Sequence, residues 1–113
     1  MQITQRKISG INILCISGEF STQRQPQALS ETVKELLAQG ERLLLINLKD
    51  CLRIDSMGLG EIVKAYNLIA AQQGALKLAE VPLRLRGLMV AANLIEVIEI
   101  YETEREAINS FGN

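Results

Sequence analysis

The chain has 113 residues, 48% of them hydrophobic, which suits one compact domain with an aliphatic core and no need of a disulfide or a structural metal. Twelve Lys and Arg against thirteen Asp and Glu leave a net charge of −1 with no basic block, and aromatics are scarce with no Trp, so nucleic acid is an unsuited partner. There is no histidine, which removes the commonest general base, the Ser-His-Asp and Cys-His mechanisms, and most zinc sites.

Ile3 to Ile8 and Ile11 to Ser17 read as two strands joined at the turn dipeptide Ser9-Gly10, with Gly18 ending the second. A polar loop follows, from Glu19 to Gln25. Pro26 suits the first turn of a helix, where its missing N–H costs nothing. Leu29, Val33, Leu36 and Leu37 then recur at helical spacing up to a stop at Gly40. The apolar run Leu43-Leu44-Leu45-Ile46, continued to Leu48, is expected of a strand covered on both faces in a parallel sheet.

Asp55-Ser56 opens the next helix, with Leu59, Ile62, Val63, Tyr66 and Ile69 as its apolar stripe and Gly74 as its end. Ala75 to Val81 is a strand. Pro82 starts a helix carrying Leu85, Leu88, Met89 and Ala92, with Asn93 as a left-handed cap. Ile95, Val97, Ile98 and Ile100 form a last strand. Thr103 to Phe111 is a terminal helix, with Thr103 at its N-cap and Glu106 three residues on, as in a capping box. The order β-β-α-β-α-β-α-β-α predicts an α/β fold with a four- to five-stranded, mostly parallel sheet, an antiparallel edge and about four flanking helices. No linker, repeat or low-complexity segment divides it, so residues 1–113 read as one domain.

Cys15 and Cys51 match no metal spacing, and Cys15 is expected to pack as a small hydrophobe. The polar, charged start from Met1 to Lys7 does not read as a signal peptide, and the apolar runs are too short to span a membrane. The expected setting is the cytoplasm, where cysteines seldom stay paired.

The stretch with chemistry is Leu45 to Gly60, in which a buried strand runs into a short loop and turns into a helix at Asp55-Ser56. Amides at a helix N-terminus favour negative charge, so a phosphate on Ser56 would lie in a supportive field. Two glycines in one helical turn, Gly58 and Gly60, cost about 1 kcal/mol each relative to Ala. They are read as leaving the backbone open to a ligand or partner. Taken alone, Asp-Ser before a helix reads as an ordinary cap pair; its position and the flanking glycines turn the reading toward the acceptor.

This segment, Asp55-Ser56-Met57-Gly58-Leu59-Gly60, resembles the signature of the STAS-domain anti-sigma-factor antagonists. Gly18-Glu19-Phe20 and Gly74-Ala75-Leu76-Lys77-Leu78 resemble two further family motifs, so the likeness covers nearly the whole chain. The resemblance implies a STAS fold and a partner-switching cycle. In such a cycle the unphosphorylated antagonist binds an anti-sigma factor that is also a serine kinase. Phosphorylation of the serine matching Ser56 separates them, and a PP2C-type phosphatase resets the pair. The partner surface implied is Ser21, Thr22, Asp55, Met57, Gly58 and Leu59, with Ser56 as substrate and no catalytic residue, metal or cofactor of the chain's own.

Two positions depart from the family pattern. Ser21 stands where an Asp usually follows the Gly-Glu-Leu motif, which removes a charged contact to the kinase, and Met57 replaces a second Ser or Thr. The alternative is therefore a STAS accessory subunit of a transporter or signalling assembly, without sigma control. An enzyme is disfavoured, since no Gly-x-Gly-x-x-Gly or Walker-type loop is present. The acidic run Glu96, Glu99, Glu102, Glu104 and Glu106 reads as a solvated face, and Arg84 and Arg86 as exposed helix residues without a role.

Overall fold

A computed structural model of the chain describes residues 1–20 and 28–112. Strands β1 (Gln2–Ile8) and β2 (Ile11–Phe20) pair antiparallel with Ile8 opposite Ile11. Only Ser9 and Gly10 are left to connect them. Both take positive φ (53° and 80°), the two-residue turn whose twist matches that of the strands. Then come α1 (Ala28–Ala38), β3 (Leu43–Asn47), β4 (Cys51–Ile54), α2 (Ser56–Ala71), β5 (Ala75–Ala79), α3 (Leu83–Ala91), β6 (Ile100–Tyr101) and α4 (Glu104–Phe111). The expected helix start at Pro26 lies outside the described residues.

The sheet runs β1-β2-β3-β5-β6, with β4 pairing β2. Apart from the β1–β2 hairpin, every described pair is parallel, as the alternation of strands and helices requires. The architecture is the expected α/β one with six strands. The additional strand is β4, in a stretch read as loop. It forms because β2 does not end at Gly18: after an irregularity at Gly18/Glu19 it continues to Phe20 and offers β4 a parallel ladder.

The last strand is shorter than expected. Residues 95–97 form a turn, Ile95 and Val97 are exposed, and only Ile100 and Tyr101 join the sheet. The cause is local. The Leu94 amide donates to the Met89 carbonyl, and the Val97 and Ile98 amides donate to Leu94, so these amides close turns instead of a ladder. Asn93 takes the left-handed conformation expected of it (φ 60°).

One face of the sheet carries the main core. Leu14 and Ile16 of β2, Leu44 and Ile46 of β3, and Leu76 and Leu78 of β5 meet α1, α2 and α3 there. Ile46, Ile62 and Leu78 are buried, as expected of them, and Leu59 sits at the edge of the core. Tyr66 is only half-buried, whereas Ala65 and Glu61 of the same helix are buried. The Glu61 carboxylate accepts from the Ser30 amide (3.4 Å) in the first turn of α1, where a helix N-terminus favours negative charge.

The opposite face is smaller and covered by α4, whose Ala107, Ile108 and Phe111 pack on Ile11, Ile13, Leu45 and Ala79. Cys15 packs at its margin, and both cysteines are free thiols. Polar contacts fasten α4 to the sheet. Thr103 caps it by accepting from the Glu106 amide (3.1 Å), and Glu80 accepts from the Glu104 amide (3.1 Å). The buried Lys77 ammonium donates to Ser110 Oγ (2.9 Å) and lies 4.6 Å from the centre of the Phe111 ring.

Glu104 therefore does not share the solvated face of its acidic neighbours. Its carboxylate accepts from Arg6 Nη2 and Asn47 Nδ2, both at 2.7 Å. The Arg6 hydrogen bond, helped by Asn47 and opposed by burial, holds the Glu104 carboxyl below its ordinary value of 4.5. A carboxyl depressed in the folded state stabilises at neutral pH, and that stabilisation is lost as pH falls below about 4.5 through the lower folded value. Glu104→Gln is expected to cost about 1 kcal/mol at pH 7, discounted for the exposed Arg6. It should also flatten the acid limb of stability. Urea unfolding at pH 7 and at pH 3 checks this, and parallel losses in both proteins would refute it.

Candidate functional site

The start of α2 is held by the end of β2. Leu48 leaves β3 with its amide donating to Ala79 (3.1 Å), and the Gly18 amide donates to the Asp50 carbonyl (3.0 Å). β4 then pairs Cys51 with Gly18, Arg53 with Glu19 and Ile54 with Phe20. Cys51 and Ile54 point inward, while Leu52 and Arg53 are exposed. The Asp55 amide donates to the Phe20 carbonyl at 3.4 Å, and the helix begins at the next residue.

Asp55 is the N-cap, in extended backbone conformation, with Oδ1 accepting from the Gly58 amide at 2.8 Å. A cap of this kind is worth about 0.5–2 kcal/mol. Since Asp55 supplies it, the Ser56 hydroxyl is not needed to start the helix. Ser56 is the first residue of α2 and is exposed, and no hydrogen bond engages its hydroxyl among the described residues. The capping role in Asp55-Ser56 thus falls to Asp55 alone.

Met57 is 56% exposed beside Ser56. Gly58 and Leu59 are different. Leu59 is 9% exposed and belongs to the core, and Gly58 is buried. A Cβ on Gly58 would lie 2.6 Å from the Phe20 carbonyl oxygen and 2.7 Å from Ile54 Cγ1. Its bare Cα thus lets the helix approach β2 and does not open backbone to a partner. Among the described residues, no atom outside its own stretch of helix lies within 4 Å of the Gly60 Cβ position, which makes it the open glycine of the pair. Of the expected partner surface, Asp55 and Met57 present themselves alongside Ser56, Gly58 and Leu59 support them from within, and Ser21 and Thr22 lie outside the described residues.

Residues not read from the sequence join this region. Leu52 is 64% exposed on β4, and the Arg84 guanidinium of α3 donates to its carbonyl oxygen, which brings the first turn of α3 and the exposed Leu83 alongside β4. The available signal for Leu52 was the inward spacing of Cys51 and Ile54, hidden because the segment read as loop. Arg86 is not a free surface residue either, since it lies 3.6 Å from Glu102. Among the described residues no three Cys, Asp or Glu side chains are grouped to hold a metal ion, and no helix is long and apolar enough to cross a membrane.

The model of the STAS domain matches residues 2–107, nearly the whole chain. The chain belongs to the STAS domain family. Its fold is similar to that of the Thermotoga maritima protein TM1081, with a TM-score of 0.91 at 22% identity over 98% of this chain and 95% of that one. The anti-sigma factor antagonist SpoIIAA of Bacillus is similar in both its forms. The unphosphorylated form has a TM-score of 0.76 at 16% identity over 99% of each chain, and the phosphorylated form 0.75 at 18% over 97% and 99%. A sulfate transporter family protein from Wolinella succinogenes has a TM-score of 0.75 at 17% identity, over 93% of this chain and 87% of that one. At these identities the likeness establishes the STAS fold.

Proposed function

We propose that this chain is an anti-sigma-factor antagonist of the cytoplasm that binds an anti-sigma factor/serine kinase while Ser56 is unmodified and is released when Ser56 is phosphorylated. The observation that carries the reading is the exposed Ser56 hydroxyl at the first residue of α2, unengaged among the described residues, beside exposed Met57. Ser56 is here a substrate of the kinase, and a PP2C-type phosphatase removes the phosphate. The chain performs no catalysis of its own.

The phosphate acts locally. It adds about −1.5 to −2 charge. The first amides of α2 tolerate that charge by roughly 0.3–1 kcal/mol, so the free protein has no need to rearrange. A docked partner would have to desolvate the phosphate beside Asp55, and that opposes binding.

Incubation with the cognate kinase and ATP, followed by mass spectrometry, is expected to place the phosphate on Ser56. Ser56→Ala should bind and not release. Ser56→Asp, with about half the charge of a phosphate, should release in part. Modification of Ser9, Ser21 or Ser30 with Ser56 untouched would sink the reading.

A second reading is a STAS accessory subunit of a transporter or signalling assembly. It is favoured by Ser21 in place of the usual acidic residue and by the likeness to the transporter-family protein. A pull-down from the native cell with wild type and Ser56→Asp separates the two: capture of a transport ATPase, unchanged by Ser56→Asp, selects the second.

A further inference from the structure

Among the described residues, the large apolar side chains that stand furthest into solvent are Leu83 (86% exposed), Leu52 (64%) and Met57 (56%). They come from three different elements, α3, β4 and α2, yet they converge on one part of the molecule. Met57 follows Ser56 directly. Leu52 precedes Ser56 by four residues, at most about 14 Å of chain. Leu83 is brought to Leu52 by its neighbour Arg84, whose guanidinium donates to the Leu52 carbonyl oxygen. Single exposed apolar residues need no explanation, but the gathering of the most exposed ones around one position marks an interaction site.

We propose that the protein kinase that docks on Ser56 also covers Leu52 and Leu83, and so meets this chain through an apolar contact on β4 and the first turn of α3. The inference rests on the Ser56 reading proposed above, and adds where the partner lands and what kind of surface it presents. Size selects the occupant. An ordinary interface buries about 800 Å² on each partner, which is a disc about 16 Å in radius. A partner centred on Ser56 therefore reaches Leu52, and a partner seated on Leu52 meets Leu83 beside it. Its complementary surface is apolar, because the Leu52 and Leu83 side chains offer no polar group and the Arg84 guanidinium between them is engaged by the Leu52 carbonyl. Contacts of this kind, away from the accepting hydroxyl, hold the partner equally before and during phosphate transfer. Their loss raises KM and leaves the maximal rate unchanged.

The probe is the fraction of native-cell extract that transfers phosphate from ATP to Ser56 of the wild type and not to Ser56→Ala. Steady-state phosphorylation of wild type, Leu52→Ser, Leu83→Ser and Val97→Ser by that fraction tests the surface. Leu52→Ser and Leu83→Ser should each raise KM about tenfold with the maximal rate unchanged. Val97→Ser is the control. Val97 is 54% exposed but lies by Tyr66 and Ala70, toward the end of α2 remote from Ser56, and its variant should behave as wild type. All three side chains are exposed, so the variants keep the fold, which thermal melts check. KM values equal to that of wild type overturn the docking surface and leave the Ser56 reading standing. If no fraction modifies Ser56, that reading falls and the docking surface falls with it. An equal rise in KM for Val97→Ser shows a general apolar effect and overturns the proposal. Sedimentation velocity of the chain alone gives the last outcome: a wild-type dimer that Leu83→Ser disperses assigns the surface to a second copy and overturns it too.

Discussion

Ile62→Ala is expected to cost about 2–5 kcal/mol. Ile62 is fully buried on α2, in the cluster where α1, α2 and α3 meet the sheet. The substitution removes three carbon atoms from a close-packed interior, losing their transfer free energy and leaving a cavity that the surroundings refill only in part. The cost falls at the upper end if Leu14, Ile46 and Leu78, fixed on three strands of the sheet, cannot move inward. Against a total stability of about 5–15 kcal/mol, such a loss lowers the urea midpoint substantially with little change in slope. Val63→Ala, one residue on and half-buried, should cost distinctly less. A loss for Ile62→Ala below about 0.5 kcal/mol would mean that this face of α2 does not form the core.

What the sequence shows of this fold follows from how strongly each element is marked. β3 was legible because Leu43 to Ile46 is apolar without interruption, as a strand covered on both faces must be. The start of α2 was legible because Asp55 is a cap residue immediately before an apolar periodic stretch. β4 was not, because its four residues Cys-Leu-Arg-Ile do not alternate: Leu52 and Arg53 both face outward. Only the long-range ladder from the tail of β2 makes the segment a strand. Residues 95–100 misled in the opposite direction. Their β-branched residues have the composition of a strand, yet local hydrogen bonds to Met89 and Leu94 take up the amides that a ladder would need.

The same contrast runs through the candidate site. The position of Ser56 at a helix start is a local property and could be read directly. Which of its neighbours face outward is set by packing against β2, a partner more than thirty residues earlier in the chain. For that reason Leu59 and Gly58, close to Ser56 in sequence, support it from inside, while Leu83, remote in sequence, stands exposed beside β4. The electrostatics of α4 were hidden in the same way. Glu104 looked like one more charge in an acidic run until Arg6 of β1 and Asn47 of β3 were brought to it.

Gly58→Ala and Gly60→Ala, two residues apart in one helix, are expected to act in opposite directions. Alanine is the better helix former by about 0.5–1 kcal/mol, and at Gly60, with open space around the Cβ position, that gain should appear as added stability. At Gly58 the new methyl would meet the Phe20 carbonyl oxygen at 2.6 Å and Ile54 at 2.7 Å. The first of these is backbone, fixed in the β2–β4 ladder, so it cannot swing aside as a flexible side chain would. Relief requires the first turn of α2 to move away from β2, at a net cost of about 1–3 kcal/mol. That movement strains the Asp55 amide bond to the same Phe20 carbonyl and carries Ser56 with it. Gly58→Ala should therefore lower the urea midpoint and, under the proposed function, the rate of Ser56 phosphorylation, while Gly60→Ala raises the midpoint and leaves the fold around Ser56 intact. Equal midpoints for the two variants would show that α2 does not depend on close approach to β2, and the account of how Ser56 is positioned would fall with it.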